Sequence, residues 1–434
     1  MKIESIFGMA ESVAGSPLTN EDKRKSLGCV LALLVAFGLA LTGPPSAQAQ
    51  TFTSLYSFKG APDGANPSGG LAIDAEGNIY GTTQFGGRGS CNSGGPGCGT
   101  VFKLVGEKEI WVYSFRGSPD GAVPSANLTA DGKGNFYGAT TYGGLSAGTC
   151  TTDGSVGCGT IFKINSAGRE SVLYRFKGGE DGSSPFGGFV IDAAGNIYGT
   201  TQSGGGSANC GTLFKVTTAG KETVLYRFCS EANCADGSAP GGNLARDTVG
   251  NLYGTTTGGG AYAGGAVFKL AANGEETVLH SFCVNADCSD GAFPYGGVTI
   301  DADGNLYGGA SFGGAFGYGT VFEVNPSGQE TVLHSFAGPP DGSVPLGGMV
   351  RDAVGNLYGT TEQGGVYSEG SVFSLDASGH ESVLYSFPGV GAPLAPLGAL
   401  IMDNKGNLYG TTYYGGIRTK CSAVGCGTVF KLTP

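Results

Sequence analysis

The chain has 434 residues, 84 of them glycine and 19 proline, and a net charge of −11. Hydrophobic residues at 40%, aromatics at 10% and charged residues at only 14% exclude a disordered chain, which needs the opposite balance. So much glycine excludes a helical protein, its lack of a three-residue period excludes collagen, and the acidic balance excludes a nucleic-acid binder or a binder of anionic membranes. A turn-dense all-β protein remains.

Residues 1–49 read as an export signal. Glu21-Asp22-Lys23-Arg24-Lys25 precedes an apolar run from Leu27 to Leu41, which is shorter than the roughly 20 residues that span a bilayer. Ala47-Gln48-Ala49 is a small-residue cleavage pattern. Cleavage after Ala49 is expected, leaving residues 50–434 as one extracytoplasmic domain (secreted, periplasmic or at the cell surface) with no membrane span. Cys29 stands at the front of the apolar run and not at its end, which does not fit a lipid attachment cysteine.

Seven copies of one unit follow. Gly-Asn-x-Tyr-Gly recurs with its asparagine at Asn78, Asn135, Asn196, Asn251, Asn305, Asn356 and Asn407, at intervals of 51 to 61 residues. Gly-x-Val/Ile/Leu-Phe ends at Phe102, Phe162, Phe214, Phe268, Phe322, Phe373 and Phe430. A string like Leu-Tyr-Ser-Phe ends at Phe58, Phe115, Phe176, Phe228, Phe282, Phe336 and Phe387. Three independent motifs with the same count identify a tandem repeat.

In the first unit the pattern predicts four strands: A over 69–74, B over 78–83, C over 99–104 and D over 109–115. The A–B turn, Asp74-Ala75-Glu76-Gly77, has an Asp to cap it and a glycine for the positive φ of a tight hairpin. The repeat region opens with a lone D strand (52–58) and closes with A (398–403), B (407–412) and C (427–432). The first strand can therefore pair with the last and close a ring, which removes an exposed edge. The expected fold is an all-β seven-bladed β-propeller with four-stranded blades. A linear β-solenoid would not need complementary ends.

The run Asn-Leu-Tyr-Gly-Thr-Thr, Gly-Gly, Gly-Thr-Val-Phe-Lys-Leu, Gly-x-Glu-Thr-Val-Leu-Tyr-Ser-Phe resembles the bacterial GloVer-type (Gloeo/Verruco) tandem repeat over residues 52–432. The resemblance implies export and repeat architecture but no reaction. Members often carry a C-terminal sorting anchor; here Thr433-Pro434 follow the last strand directly, and no such anchor is expected. The A–B part is similar to NHL-type and lactonase-like propellers only in its turn chemistry.

Ten cysteines fall into close pairs: Cys91/Cys98, Cys150/Cys158, Cys229/Cys234, Cys283/Cys288 and Cys421/Cys426. Their spacings drift and no histidine completes a zinc set, so in an exported chain local disulfides are the stronger reading. Cys210 is left without a partner.

In this phase the A–B and C–D turns share one face, and the B–C and D–A loops share the other. The second face carries the length variation and the paired cysteines, and long loops on a rigid scaffold are where binding residues sit. Aromatic and basic side chains there are the candidate ligand contacts: Phe85, Arg88, Tyr142, Tyr262, Phe312, Tyr318, Tyr367, Tyr414 and Arg418, with Phe316, Tyr413 and Lys420 beside them and Phe186, Phe293 and Tyr295 in the D–A loops. Packing of glycine-rich loops onto the blades is the bland reading. An Asp-Gly pair recurs at Asp63, Asp120, Asp181, Asp236, Asp290 and Asp341, and Val390-Gly391 replaces it in the seventh unit. Such a set could ring a channel mouth and hold Ca²⁺; a turn repeated in each blade is the stronger reading. His280 and His334 take the Tyr position of strand D and His380 a C–D turn, which suits structural roles. Arg246 and Arg351 in strand A are expected to snorkel to a blade edge.

No catalytic residues and no cofactor are predicted. The expectation is a monomeric, non-catalytic binding or scaffolding module for carbohydrate or an extracellular protein. The alternatives are a hydrolase or lyase acting on polysaccharide or a lactone through carboxylates of the loop face, and a purely structural surface protein.

Overall fold

The computed structural model describes residues 50–91, 96–145, 150–152, 155–389, 391–418, 421 and 424–434. The expected export signal, with Cys29 and the cleavage position at Ala49, lies outside them, as do Val390 and Lys420. Among the described residues no helix is long and apolar enough to cross a membrane.

Seven four-stranded antiparallel sheets form the blades of a β-propeller. Blade 1 consists of A (Ala72–Ile73), B (Ile79–Thr83), C (Thr100–Val105) and D (Lys108–Ser114). Blades 2 to 6 repeat that order, their A strands being Thr129–Ala130, Ser183–Ile191, Ser238–Arg246, Val298–Ile300 and Val350–Arg351. Blade 7 takes A (Ile401–Met402), B (Leu408–Thr412) and C (Thr428–Thr433) from the end of the chain and D (Thr51–Ser57) from its beginning. The pairing runs from Thr51↔Thr433 to Ser57↔Thr428, so the first strand closes the ring as expected.

Strand A is shorter than the sequence pattern suggests in most blades because its first half crowds the axis. A Cβ on Gly69 would lie 2.5 Å from the carbonyl oxygen of Ala126 in the next blade. These residues approach the backbone of the adjacent blade around the axis instead of continuing the ladder to strand B.

Two of the repeat motifs meet inside each blade. Gly81 of strand B pairs with Phe102 of strand C, and a Cβ at Gly81 would fall 2.4 Å from the Phe102 ring. The Asn-x-Tyr-Gly glycine is therefore the space into which the Gly-x-Val-Phe ring lies, and alanine there would overpack the blade by about 1–3 kcal/mol.

The third motif joins blades to one another. The strand D phenylalanine of each blade meets the strand C phenylalanine of the next edge to face, with centroids from 4.9 to 5.5 Å apart: Phe58–Phe102, Phe115–Phe162, Phe176–Phe214, Phe228–Phe268, Phe282–Phe322, Phe336–Phe373 and Phe387–Phe430. All these rings are buried, and each pair contributes about 0.5–1.5 kcal/mol beyond its area. Every C–D ladder also carries a one-residue bulge, at Val112 in blade 1 and Leu55 in blade 7. A bulge increases local twist and re-aims the next side chain, here the Tyr or His that precedes the strand D phenylalanine.

Candidate functional site

The channel is closed partway along by two asparagines. Asn127 and Asn243 occupy one repeat position, just before strand A in blade 2 and within it in blade 4, where the other blades carry Gly70, Gly188, Gly297, Gly348 and Ala399. Asn127 Nδ2 donates to Asn243 Oδ1 at 2.6 Å, and Gly70 N–H donates to Asn127 Oδ1. This bridge separates two chambers of about 510 Å³ each. One lies toward the A–B turns and is lined by the apolar strand A residues Leu71, Leu128, Phe189, Leu244 and Met349.

The other chamber opens as a bowl among the D–A and B–C loops. Two repeat positions form it: the residue after the proline that leads into strand A, and the residues just past strand B. The first supplies Ser68, Ser125, Phe186, Tyr295, Leu346 and Leu397; the second supplies Gln84, Ser311, Phe312, Glu362 and Gln363. One side of the lining is aromatic and the other offers hydroxyl, amide and carboxylate groups. Tyr295 is 41% exposed and Phe312 51%, with Phe293 held edge-on to Phe312 at 5.8 Å. The polar side is braced: Tyr413 donates to Gln84 Oε1 at 3.0 Å, Gln84 Nε2 donates to Ser68 Oγ at 2.8 Å, and the Ser125 and Thr141 hydroxyls share a bond of 2.5 Å. Glu362 is the carboxylate among these lining residues, and burial raises its pKa above the ordinary value.

Of the residues singled out from sequence, the structure places Phe312 and, from the D–A loops, Phe186 and Tyr295 in the bowl. Phe85 and Tyr142 pair in short ribbons with Ala65 and Ala122 and pack against the interblade core. Arg88 lies 4.9 Å over the Trp111 ring, in a separate depression of about 200 Å³ that Tyr113 and Arg116 share. Tyr262, Phe316, Tyr318 and Tyr367 are exposed on their B–C loops. Tyr414 stacks edge-on against Tyr413, and Arg418 lies beside Gly391. The sequence reading missed Asn127, Asn243 and Glu362. The signal for the asparagines was present: each replaces glycine or alanine at one fixed repeat position.

The six Asp-Gly aspartates do not line either chamber. Each latches the strand D end that precedes it. Asp63 Oδ2 accepts the Tyr56 hydroxyl at 3.0 Å and the Lys59 N–H at 2.9 Å. The bonds recur from Tyr113 to Asp120, Tyr174 to Asp181 and Tyr226 to Asp236. His280 and His334 replace the tyrosine opposite Asp290 and Asp341, with Nε2 3.3 and 3.2 Å from the carboxylate. A glutamate at the start of strand D of the following blade completes each group: Glu109, Glu170, Glu222, Glu276, Glu330 and Glu381. Burial first, and then the neighbouring Asp charge, pushes all six up to about 7. Of the six aspartates, Asp341 lies in a group compact enough for one ion, its ligand atoms and those of His334 and Glu381 all falling within 4.8 Å of one another. An imidazole in that set suits a transition ion better than Ca²⁺.

Arg246 and Arg351 reach the edge of the preceding blade, their guanidinium groups 5.9 Å from the Tyr198 ring and 5.4 Å from the Tyr307 ring. Four close cysteine pairs form disulfides: Cys91–Cys98, Cys150–Cys158, Cys283–Cys288 and Cys421–Cys426. Cys229 lies within disulfide reach of both Cys234 and Cys210, one of which it can bond at a time, so Cys210 is not isolated. Several disulfides in one chain suit an oxidising extracytoplasmic environment.

A family model described as the Gloeobacter/Verrucomicrobia repeat matches residues 144–353 and 328–434. No curated protein matches the chain. Two solved structures are extracellular domains described as belonging to a hybrid and to a one-component signalling system of B. thetaiotaomicron. They are 12% and 15% identical with TM-scores of 0.54 and 0.50, over 88% of this chain in both cases. The chain spans only 39% and 41% of those two chains. A gluconolactonase from Xanthomonas campestris is 14% identical with a TM-score of 0.39, over 63% of this chain and 78% of its own.

Proposed function

Because the chain belongs to the Gloeobacter/Verrucomicrobia repeat family, which is defined by its repeat, we propose a function from the place where the seven copies differ most in chemistry. The protein is an exported carbohydrate-binding module, and the bowl on the loop face takes a saccharide ring. The observation that carries this reading is the lining itself. Phe186, Tyr295 and Phe312 offer flat apolar faces, and Ser68, Gln84, Ser125, Glu362 and Gln363 offer donors and acceptors, around about 510 Å³ with a closed floor. Aromatic faces cover the apolar side of a sugar while placed polar groups fix its hydroxyls.

Binding is favoured over hydrolysis by the carboxylate inventory. Glycosidases work through a pair of carboxyl groups, and the lining residues include one, Glu362. Its carboxylate oxygens offer acceptors to ligand hydroxyls, which is a binding role.

Titration calorimetry against a panel of mono- and disaccharides tests the reading. At least one sugar should bind without turnover, and Tyr295→Ala or Phe312→Ala should weaken it about tenfold or more, roughly 1.4 kcal/mol. If no sugar binds, or if those variants bind as the parent does, the bowl is not a carbohydrate site. Release of a cleavage product, abolished by Glu362→Gln, would establish the hydrolase instead.

A further inference from the structure

Four cysteines occupy one repeat position, the residue before the glycine that opens strand C: Cys98, Cys158, Cys210 and Cys426. Three of them are bridged to a cysteine earlier in the same B–C loop, Cys91, Cys150 and Cys421. Blade 3 has no such partner, because residues 203–209 contain no cysteine. A second repeat position follows the strand D phenylalanine. Cys229 and Cys283 stand there, each bridged to the cysteine five residues on in the D–A loop.

The two kinds of staple meet in blade 3. The start of strand C and the end of strand D are neighbours, since Phe228 N–H donates to the Gly211 carbonyl at 3.1 Å. Cys229 is therefore placed to bond either Cys210 or Cys234, with Cα separations of 5.9 and 4.0 Å. The outer two sulfurs are 3.9 Å apart, and all three residues are only partly buried. One sulfur holds one disulfide, so three sulfurs leave one thiol. Blade 4 shows the same loop without the extra cysteine. Gly264 takes the Cys210 position there, and a Cβ on it would fall 2.7 Å from Cys283 Sγ.

We propose that Cys210, Cys229 and Cys234 form a thiol–disulfide exchange site that is modified by a low-molecular-weight disulfide. In the internal step the Cys210 thiolate attacks Cys229 Sγ. The Cys210–Cys229 bond forms, the Cys229–Cys234 bond breaks, and Cys234 leaves as a thiolate, with no net oxidation. In the external step the thiolate at either end attacks one sulfur of a disulfide R–S–S–R. A protein–S–S–R bond forms and RS⁻ departs, taking up the proton that the protein thiol gave to solvent. The bridge between Cys229 and Cys234 closes the D–A loop; the bridge between Cys210 and Cys229 ties the start of that loop to strand C and releases Cys234.

The test uses the full chain with Cys29→Ser, so that one thiol remains beside five disulfides. The probe is oxidised glutathione at mildly alkaline pH, near the ordinary thiol pKa of about 8.5, read by unreduced mass spectrometry and peptide mapping. One glutathionyl group per chain is expected, on Cys210 in some molecules and on Cys234 in the rest. Cys210→Gly should take no adduct and keep the Cys229–Cys234 bridge. Cys234→Ser should also take none, because Cys210 and Cys229 then pair. The proposal is overturned by an adduct confined to Cys210 in the parent, by adducts on the Cys234→Ser chain, or by a parent that takes none.

Discussion

Phe52 lies flat on Tyr385, with ring centroids 3.9 Å apart and planes 6° apart, where the first strand of the chain completes the last blade. Its ladder partner is Leu432, the position that pairs with Glu222 or Glu109 in other blades. At six junctions an Asp and a Glu lie close together, and at the seventh the sequence carries Phe52 at the Glu position and no Asp-Gly pair. The junction against which the ring-closing strand packs is thus aromatic. Phe52→Glu should lower stability by about 2 kcal/mol through the lost stack and the desolvated carboxylate. Limited proteolysis should then cut first within residues 51–58, and an unchanged melting temperature with no new cleavage would contradict this account.

The other six junctions make stability depend on pH. Each Glu has a folded pKa of about 7 against an ordinary value of 4.5. The folded state therefore holds more protons than the unfolded state between those values, and stability falls as pH rises through that window. The turn aspartates act in the opposite sense. Asp74 and Asp352 are held below 3.8, burial opposing the shift while bonds from Asn78 and Asn356 outweigh it. Their contribution is present above the ordinary value and lost as pH falls below it. Urea midpoints should peak at about pH 5 and decline toward pH 8. Glu170→Gln should raise stability at pH 8 by about 1 kcal/mol, a figure discounted for a half-exposed group, and leave it nearly unchanged at pH 5. A flat profile would show that the acid pairs relax apart.

A buried hydroxyl pair has opposite consequences in two blades. Thr83 Oγ1 donates to the Phe85 carbonyl at 2.9 Å and lies 2.8 Å from Thr100 Oγ1. In blade 5 the same ladder position pairs Ala310 with Thr320, whose hydroxyl is buried without a partner. Thr83→Val should cost about 1–3 kcal/mol because it orphans two groups, whereas Thr320→Val should be neutral or stabilising by up to about 1 kcal/mol. Equal losses in the two variants would mean that the Thr320 hydroxyl has a partner after all.

The blades were readable because the residues that build them repeat. Phe102, Gly81 and Phe115 belong to motifs that recur seven times, and the lone strand at residues 52–58 announced closure. Contacts between units carry no such signal. Asp63 and Glu109 are far apart in the chain and meet only because strand D of one blade crosses beside the next, so their Asp was legible as a turn while its carboxyl partner was not. Loop position marks Phe85, Tyr142 and Phe312 alike, and all three pair with an alanine of the D–A loop; the first two rings pack on the interblade core while Phe312 stays exposed at the bowl. Cys210 looked unpartnered because its neighbour Cys229 comes from a different staple position.

The floor of the bowl rests on one side-chain contact that can be measured directly. Asn127 and Asn243 bond to each other and fill space that glycine leaves open in four other blades; a Cβ on Gly188 would lie 2.3 Å from Asn243 Oδ1. Removing either amide leaves the other unpaired inside the channel, so each single variant, Asn127→Ala or Asn243→Ala, should cost about 1–3 kcal/mol. The double variant removes both and should cost less than the sum, with a coupling energy of about 1 kcal/mol or more, since the two residues share one hydrogen bond. Denaturant titration of the four proteins gives that coupling. Additive losses would mean that water replaces the amide bridge and that the two chambers communicate.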